Sequence, residues 1–379
     1  MKLITLETRS ISVNHRGDWL HVVLHTDNGL QGIGEASHGG FGASRDAIVE
    51  QILVRQIQPI LMECDLRHVT ETIRRLKSIV DGLPSATAVS ACEQALWDLA
   101  GRVAGMSVAQ MFGNASMEPV PLYANINRSV IDRTPHGFAA NAIQAQEDGF
   151  SAIKLAPFDG ILQKDIRLPE QRQKVRLGVD CVAAVCDAVG HSVNVMVDCH
   201  SAFDLGTADM VACELAACGV TWFEEPLPLN DIASYVALRS SVSRMGMELV
   251  GGELLFDLTG FYPWMSAGAF DVIMPDVKHC GGIAALRTIG ELANARGIAI
   301  APHNPSGPVA TVASAHSLAG IGWYRPLEIA WGEVPWRSRI ILPHEIVEHG
   351  HLHLPKGNGL RISDFVDASN EPGVENSCD

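Results

Sequence analysis

Asp198, Glu224 and Glu253 stand at the ends of three successive apolar runs, VNVMV, VTWF and MELVGG, spaced 26 and 29 residues apart. That interval is about one strand-helix unit of a parallel barrel, whose eight units together typically take ~250 residues. Such a barrel gathers the C-terminal ends of its strands on one face, so acids remote in sequence converge there. Three converging carboxylates repel one another unless a cation holds them. An all-oxygen ligand set with room left for substrate suits Mg²⁺. Taken singly, each acid could equally be a helix cap or an ion-pair partner; their recurrence in consecutive units favours a metal site.

The same series of strand ends carries Lys154, His200, Asp276, His303 and Glu328. A carbon acid next to a carboxylate gives up its proton only to a well-placed base, with positive charge near the developing enediolate. His303 can be that base, Asp276 can fix its tautomer, and Lys154 with a divalent cation can supply the charge. His200 lies two residues beyond Asp198, and strand alternation is expected to turn both toward the pocket. Cys199 between them is expected on the opposite side. Lys278 and His279 read as a solvated loop.

The elements that must position these residues are legible as pattern. Residues 2–14 and 19–36 read as strands, the second stretch broken by Asp27-Asn28-Gly29, a hairpin signal of the type I′ kind. Val89, Cys92, Leu96, Leu99 and Val103 step by three and four, marking one buried helical face. From about residue 119, VPLYANIN, SAIKLAP, VNVMVD, VTWFEE, MELVGGE, FDVIMPD, IAIAPH and RPLEIAW alternate with helical stretches. Eight such strands predict an α/β fold with a (β/α)₈-type barrel. The expected organisation is an α+β capping domain over 1–118, the catalytic barrel over 119–336, and a segment over 337–379 that returns to the capping domain.

At 379 residues and 47% hydrophobic, the chain can bury a core large enough for two domains. Its formal charge of −15 opposes nucleic acid and anionic membranes as partners. No apolar run reaches the ~20 residues of a membrane span, and the amino terminus alternates like a strand, so a cytoplasmic location is expected. Nine cysteines without a CxxC pair are expected to be reduced thiols.

Beyond these separate readings, CEQALWDLAGRVAGMSVAQMFG, GFSAIK, VDCH, WFEEPLP, GGE, PDVKHCGG, APHNPSGPVA and PLE together resemble the enolase superfamily, and within it the mandelate racemase subgroup. The resemblance covers nearly the whole chain. It implies that Asp198, Glu224 and Glu253 bind Mg²⁺, with Glu225 a non-ligand, that Asp276 and His303 form a dyad, and that Glu328 acts on the substrate carboxylate. Racemising and cycloisomerising members commonly carry Lys-x-Lys on the second barrel strand; here Lys154-Leu155-Ala156 lacks the second lysine. The Asp198-x-His200 pattern resembles acid-sugar dehydratases of the galactonate dehydratase type, in which the histidine assists departure of the β-hydroxyl. The implied activity is dehydration of an aldonate or aldarate to a 2-keto-3-deoxy acid, in a homo-oligomer acting on a small carboxylate. A 2-hydroxy acid racemase or epimerase using Lys154 as a second base, and a catalytically weak scaffold with this fold, are the competing readings. His15, Arg16, Asp18 and Trp19, in the first hairpin loop, are candidates for reading the distal end of the substrate.

Overall fold

The computed structural model describes residues 1–14, 17–38, 43–113 and 119–366. Strands β1 (Leu3–Asn14), β2 (Gly17–Thr26) and β3 (Gln31–Glu35) form an antiparallel meander. The β2–β3 connection differs from the type I′ expectation, because among residues 27–30 only Gly29 takes a positive φ, +80°. Gly29 N–H donates to Thr26 O at 3.0 Å, and Thr26 N–H donates to Leu30 O at 3.1 Å. This is a turn closed by one left-handed glycine, which needs only a single permissive residue.

The helix Leu83–Ala104 lies across this sheet. Val103, expected on its buried face, is exposed at the helix end, but the helix buries more than that single face, from Ser85 through Leu96 without a break. The reason is its small residues: the sheet packs on one side and the barrel on the other. At Gly34 a Cβ would sit 2.1 Å from Ala91 O, so only glycine permits so close an approach of strand to helix.

All eight predicted barrel strands are present: β4 (Val120–Asn125), β5 (Ala152–Leu155), β6 (Asn194–Asp198), β7 (Trp222–Glu224), β8 (Glu248–Gly251), β9 (Val272–Ile273), β10 (Ala299–Ile300) and β11 (Leu327–Ala330). Each pairs in parallel with the next from β4 to β10, and β11 pairs back onto β4. The remaining seam has no continuous ladder; a parallel bridge between Ile300 and Tyr324 and a 2.8 Å bond from Arg325 N–H to Ile300 O span it. β9 and β10 are short because Pro275 and Pro302 follow them closely and have no N–H to donate to a ladder.

Inside the barrel, Tyr123, Ala152, Met196, Trp222, Val250, Val272 and Met274 belong to one apolar cluster. Two-residue alternation then places Lys154 after Ala152, Asp198 after Met196 and Glu224 after Trp222 on the same inner side, toward the C-terminal rim. Cys199 is buried among the residues packed outside the strands, as expected.

Past residue 336, strand β12 (Ile341–Leu342) pairs with β15 (Asp364–Phe365), while β13 (Ile346–Glu348) and β14 (His351–His353) form a hairpin whose second strand pairs antiparallel with β4. Leu360 N–H donates to Asp98 Oδ1 at 2.7 Å, and Phe365 packs against His21, tying this segment to the capping domain. No described helix is long and apolar enough to cross a membrane. The eight described cysteines are all free.

Candidate active site

Ligand-type oxygens of Asp198, Glu224 and Glu253 all lie within 4.8 Å of one another at the barrel rim. Asp198 and Glu224 are cross-strand partners on β6 and β7. Glu253 follows β8 by two residues, on a turn made at Gly252, whose φ is +104°. Glu225 holds that turn, its Oε1 accepting from the N–H groups of Gly252 at 2.8 Å and Glu253 at 3.3 Å. Burial, then Glu253, pushes the Glu225 carboxyl up to about 8. Its place is under the loop that presents Glu253.

Lys154 is the cation among these acids. Its Nζ lies 2.7 Å from Glu224 Oε1, 3.0 Å from Glu328 Oε1 and 3.7 Å from Asp198 Oδ2. Burial disfavours the ammonium, but Glu224 and Glu328 outweigh it and hold its pKa well above the usual lysine value. Trp222 Nε1 donates to the other oxygen of Glu224 at 2.8 Å. Asn125 Nδ2 and Asn304 N–H donate to Glu328 at 2.7 and 2.8 Å.

One ammonium cannot balance Asp198, Glu224, Glu253 and Glu328. Burial, followed by the charge of Asp198, holds the Glu224 carboxyl well above its ordinary pKa. A close, all-oxygen group of three acids, two buried and Glu253 partly so, fits a hard divalent cation, and these are the residues that could hold it.

Two histidines flank the trio. His303 Nδ1 lies 2.8 Å from Asp276 Oδ2, and its Nε2 lies 3.1 Å from Glu253 Oε2. Burial lowers the His303 pKa, yet Glu253 and Glu328, with the Asp276 hydrogen bond, lift it to about 9. His200 Nδ1 lies 2.6 Å from Asp159 Oδ1, and its Nε2 lies 3.1 Å from Asp198 Oδ2. It reaches that position by a route other than the strand alternation expected. β6 ends at Asp198, and His200 and Ser201 take positive φ values of +45° and +57°. The reversed backbone lets His200 N–H donate to Asp198 Oδ1 at 3.0 Å while the ring returns to the same carboxylate.

Lys278 and His279 do not form a solvated loop. They are 0% and 2% exposed. Lys278 Nζ donates to Asp276 Oδ2 at 2.6 Å, and His279 Nδ1 meets Thr87 Oγ1 at 2.9 Å. The capping-domain helix covers this loop, which no local pattern in the loop could reveal. Of the hairpin candidates, His15 and Arg16 lie outside the described residues. Trp19 is fully enclosed, its ring 5.5 Å from Trp336 and 5.6 Å from the Arg337 guanidinium.

Several polar residues at the rim were not anticipated from sequence. Arg128, three residues past β4, bonds Glu333 at 2.7 Å and His38 at 3.3 Å. The signal was the polar ending of the first barrel strand, Asn125-Ile126-Asn127-Arg128, left out of the strand-end series. Asp159 and Arg133 gave none: they lie in loops whose composition reads as turn.

Residues 137–363 match the family described as enolase C-terminal domain-like, and residues 6–113 match the mandelate racemase / muconate lactonizing enzyme N-terminal domain. Among curated proteins, the D-xylonate dehydratase of Haloferax volcanii is 27% identical over 99% of this chain and 89% of its own length. The D-galactarolactone cycloisomerase of Agrobacterium fabrum is 27% identical over 76% of this chain and 74% of its own. Among solved structures, a mandelate racemase/muconate lactonizing enzyme-like protein from Rubrobacter xylanophilus is 28% identical with a TM-score of 0.84, covering 97% of this chain and 96% of that one. With both halves matched and the acids, lysine and dyad gathered on one barrel rim, the chain belongs to the enolase superfamily, in its mandelate racemase subgroup.

Proposed function

We propose that the protein is a Mg²⁺-dependent acid-sugar dehydratase that converts an aldonate or aldarate into a 2-keto-3-deoxy acid. The observation that carries this reading is the pair of histidines at the two ends of the acidic trio. One Nε2 stands beside Glu253 and the other beside Asp198, each 3.1 Å from its carboxylate. β-Elimination needs a base for the α-proton and an acid for the departing hydroxyl, and two imidazoles supply both. The dehydratase named among the relatives, matched over 99% of this chain, supports the same class.

Asp198, Glu224 and Glu253 would hold the cation, which supplies positive charge to the substrate carboxylate as negative charge moves onto it. His303 Nε2 takes the α-proton while Asp276 holds its Nδ1–H. With the trio's charge neutralised, the lift on the His303 pKa weakens, which favours the neutral ring that a base requires. Lys154 and Glu328 lie together and frame the carboxylate end of the pocket. His200 Nε2 delivers a proton to the 3-hydroxyl as its C–O bond breaks, water leaves, and the enol ketonises. Racemisation would ask Lys154 to act as a second base; its contacts with three carboxylates favour a permanent cation instead.

The test is ¹H NMR in D₂O with Mg²⁺ and D-xylonate, D-gluconate and D-galactonate as candidate substrates. Dehydration yields a new methylene and a keto acid. An inverted isomer carrying α-deuterium would point to the epimerase reading, and no change with any sugar acid would favour a scaffold.

A further inference from the structure

We infer that Asp159 is a positioning residue for His200, forming with it a second His–Asp dyad across the trio from His303–Asp276. The inference rests on the dehydratase reading, since it assigns Asp159 to the leaving-group half of that reaction. The two arrangements match atom for atom. In each, Nδ1 faces a carboxylate from the loop after a different barrel strand, at 2.8 Å for Asp276 and 2.6 Å for Asp159. In each, Nε2 faces an outer acid of the trio at 3.1 Å. His200 has 42% of its side chain exposed.

Asp159 is itself held. Its Oδ2 accepts from Arg133 Nη2 at 3.0 Å and from Asn127 Nδ2 at 3.3 Å. Arg133 also donates to Ala156 O at 2.7 Å and to Asn127 Oδ1 at 2.9 Å. Three consecutive loops, after β4, β5 and β6, are thereby stitched into one unit whose end point is His200 Nδ1. When Nε2 gives its proton to the hydroxyl oxygen, the N–H electron pair stays on the ring. The remaining proton sits on Nδ1, where Asp159 Oδ1 accepts it. Arg133 and Asn127 grip Oδ2, so in Asp159→Asn an amide oxygen in that place keeps both bonds and turns the NH₂ toward Nδ1. The neutral ring then carries its proton on Nε2 and none on Nδ1, so donation would leave an imidazolate, and the amide also disfavours the doubly protonated ring that the acid role needs.

The experiment compares wild type, Asp159→Asn, His200→Asn and the double variant in D₂O with Mg²⁺ and whichever of the three sugar acids wild type dehydrates. Asp159→Asn is expected to lose dehydration by roughly 10²-fold or more, the scale of a general acid's contribution, while α-hydrogen exchange falls less than about threefold. In the His200→Asn background it should add nothing. Equal loss of exchange and dehydration, or independent losses in the double variant, would overturn the inference. Should His200→Asn dehydrate normally, the acid role of His200 fails instead. A readout free of turnover is the ¹⁵N spectrum of histidine-labelled, Mg²⁺-loaded protein, with His200 assigned by its absence in His200→Asn. Nδ1 should carry a proton in wild type and lose it in Asp159→Asn; an unchanged Nδ1 would also overturn the inference.

Discussion

The two histidines at the barrel rim have nearly the same immediate neighbours and very different surroundings. His303 and Asp276 sit in loops gripped by the capping domain. Glu35 accepts from Gly307 and Ala310 N–H at 2.8 and 2.9 Å, at the start of the helix Pro308–Leu318. Glu93 accepts from Ile283 and Ala284 N–H at 2.6 and 2.9 Å, at the start of the helix Ile283–Asn294. Ser90 accepts from Gly281 N–H, and Gln94 donates to Val277 O. On the other side, the bonds described for His200 and Asp159 run to the barrel's own loops, joined through Arg133. The contrast teaches that a second domain fixes the His303 side, while the barrel's own loops supply the bonds described on the His200 side. A base must meet a weakly acidic C–H at one defined point, whereas an acid must reach a hydroxyl that arrives with the substrate.

Breaking the clamped side should have the largest effect. His303→Asn is expected to remove α-hydrogen exchange and dehydration together, by roughly four orders of magnitude or more; retained exchange measured by ¹H NMR would move the base elsewhere. Asp276→Asn should cost up to about 10⁴ in kcat, through the wrong tautomer and the lost partner of Lys278. Chelation by EDTA, followed by restoration with Mg²⁺, should switch exchange off and on, and activity that survived chelation would remove the basis for the trio as a cation site.

The comparison sharpens through the capping-domain carboxylates. Glu35→Gln takes the charge from both contacts and leaves one of the two helix-start N–H groups facing an NH₂ with no acceptor, at a cost of about 1 to 3 kcal/mol in denaturant unfolding. Because the helix follows the His303 loop, exchange should fall in this variant, while the ratio of dehydration to exchange stays constant. A changed ratio would mean that the grip reaches the His200 side as well.

The smallest expected effect is the pH dependence of stability. Burial pushes His279 down to about 3, against an opposing pull from Asp276. In the unfolded chain the ring takes a proton near 6.5, whereas in the folded protein it stays neutral to about pH 3. The unfolded state therefore binds more protons across that window, and stability falls as pH drops below 6.5, by roughly 2 kcal/mol at pH 5. Replacing His279 with Gln should flatten the unfolding free energy between pH 5 and 7 relative to wild type; an unchanged slope would assign the acid sensitivity to other groups.

The residues that sequence exposed are those whose position follows from a strand. Asp198, Glu224 and Lys154 are legible because alternation along a buried strand fixes their side, and Glu253, Asp276 and His303 because glycine or proline marks where each strand stops. What escaped was set by contacts between elements. His200 was placed correctly for an incomplete reason, since a left-handed turn, not pleating, brings it back to Asp198. Asp159 follows Pro157-Phe158 and precedes Gly160, which reads as an ordinary turn. Its meaning depends on Arg133 and His200 arriving from neighbouring loops. Lys278 was misread because its cover is a helix almost two hundred residues earlier in the chain.

Glu35 and Glu93 carry a consequence for how such chains can be recombined. Both sit in the first domain, yet each supplies the acceptor that the opening turn of a barrel helix lacks. Exchanging the amino-terminal third with that of a relative would replace the two acids that anchor the loops around His303 and Asp276. A chimera built at residue 119 should work only when the donor brings an acid to both places, which makes those two positions the compatibility rule for swapping halves within this family.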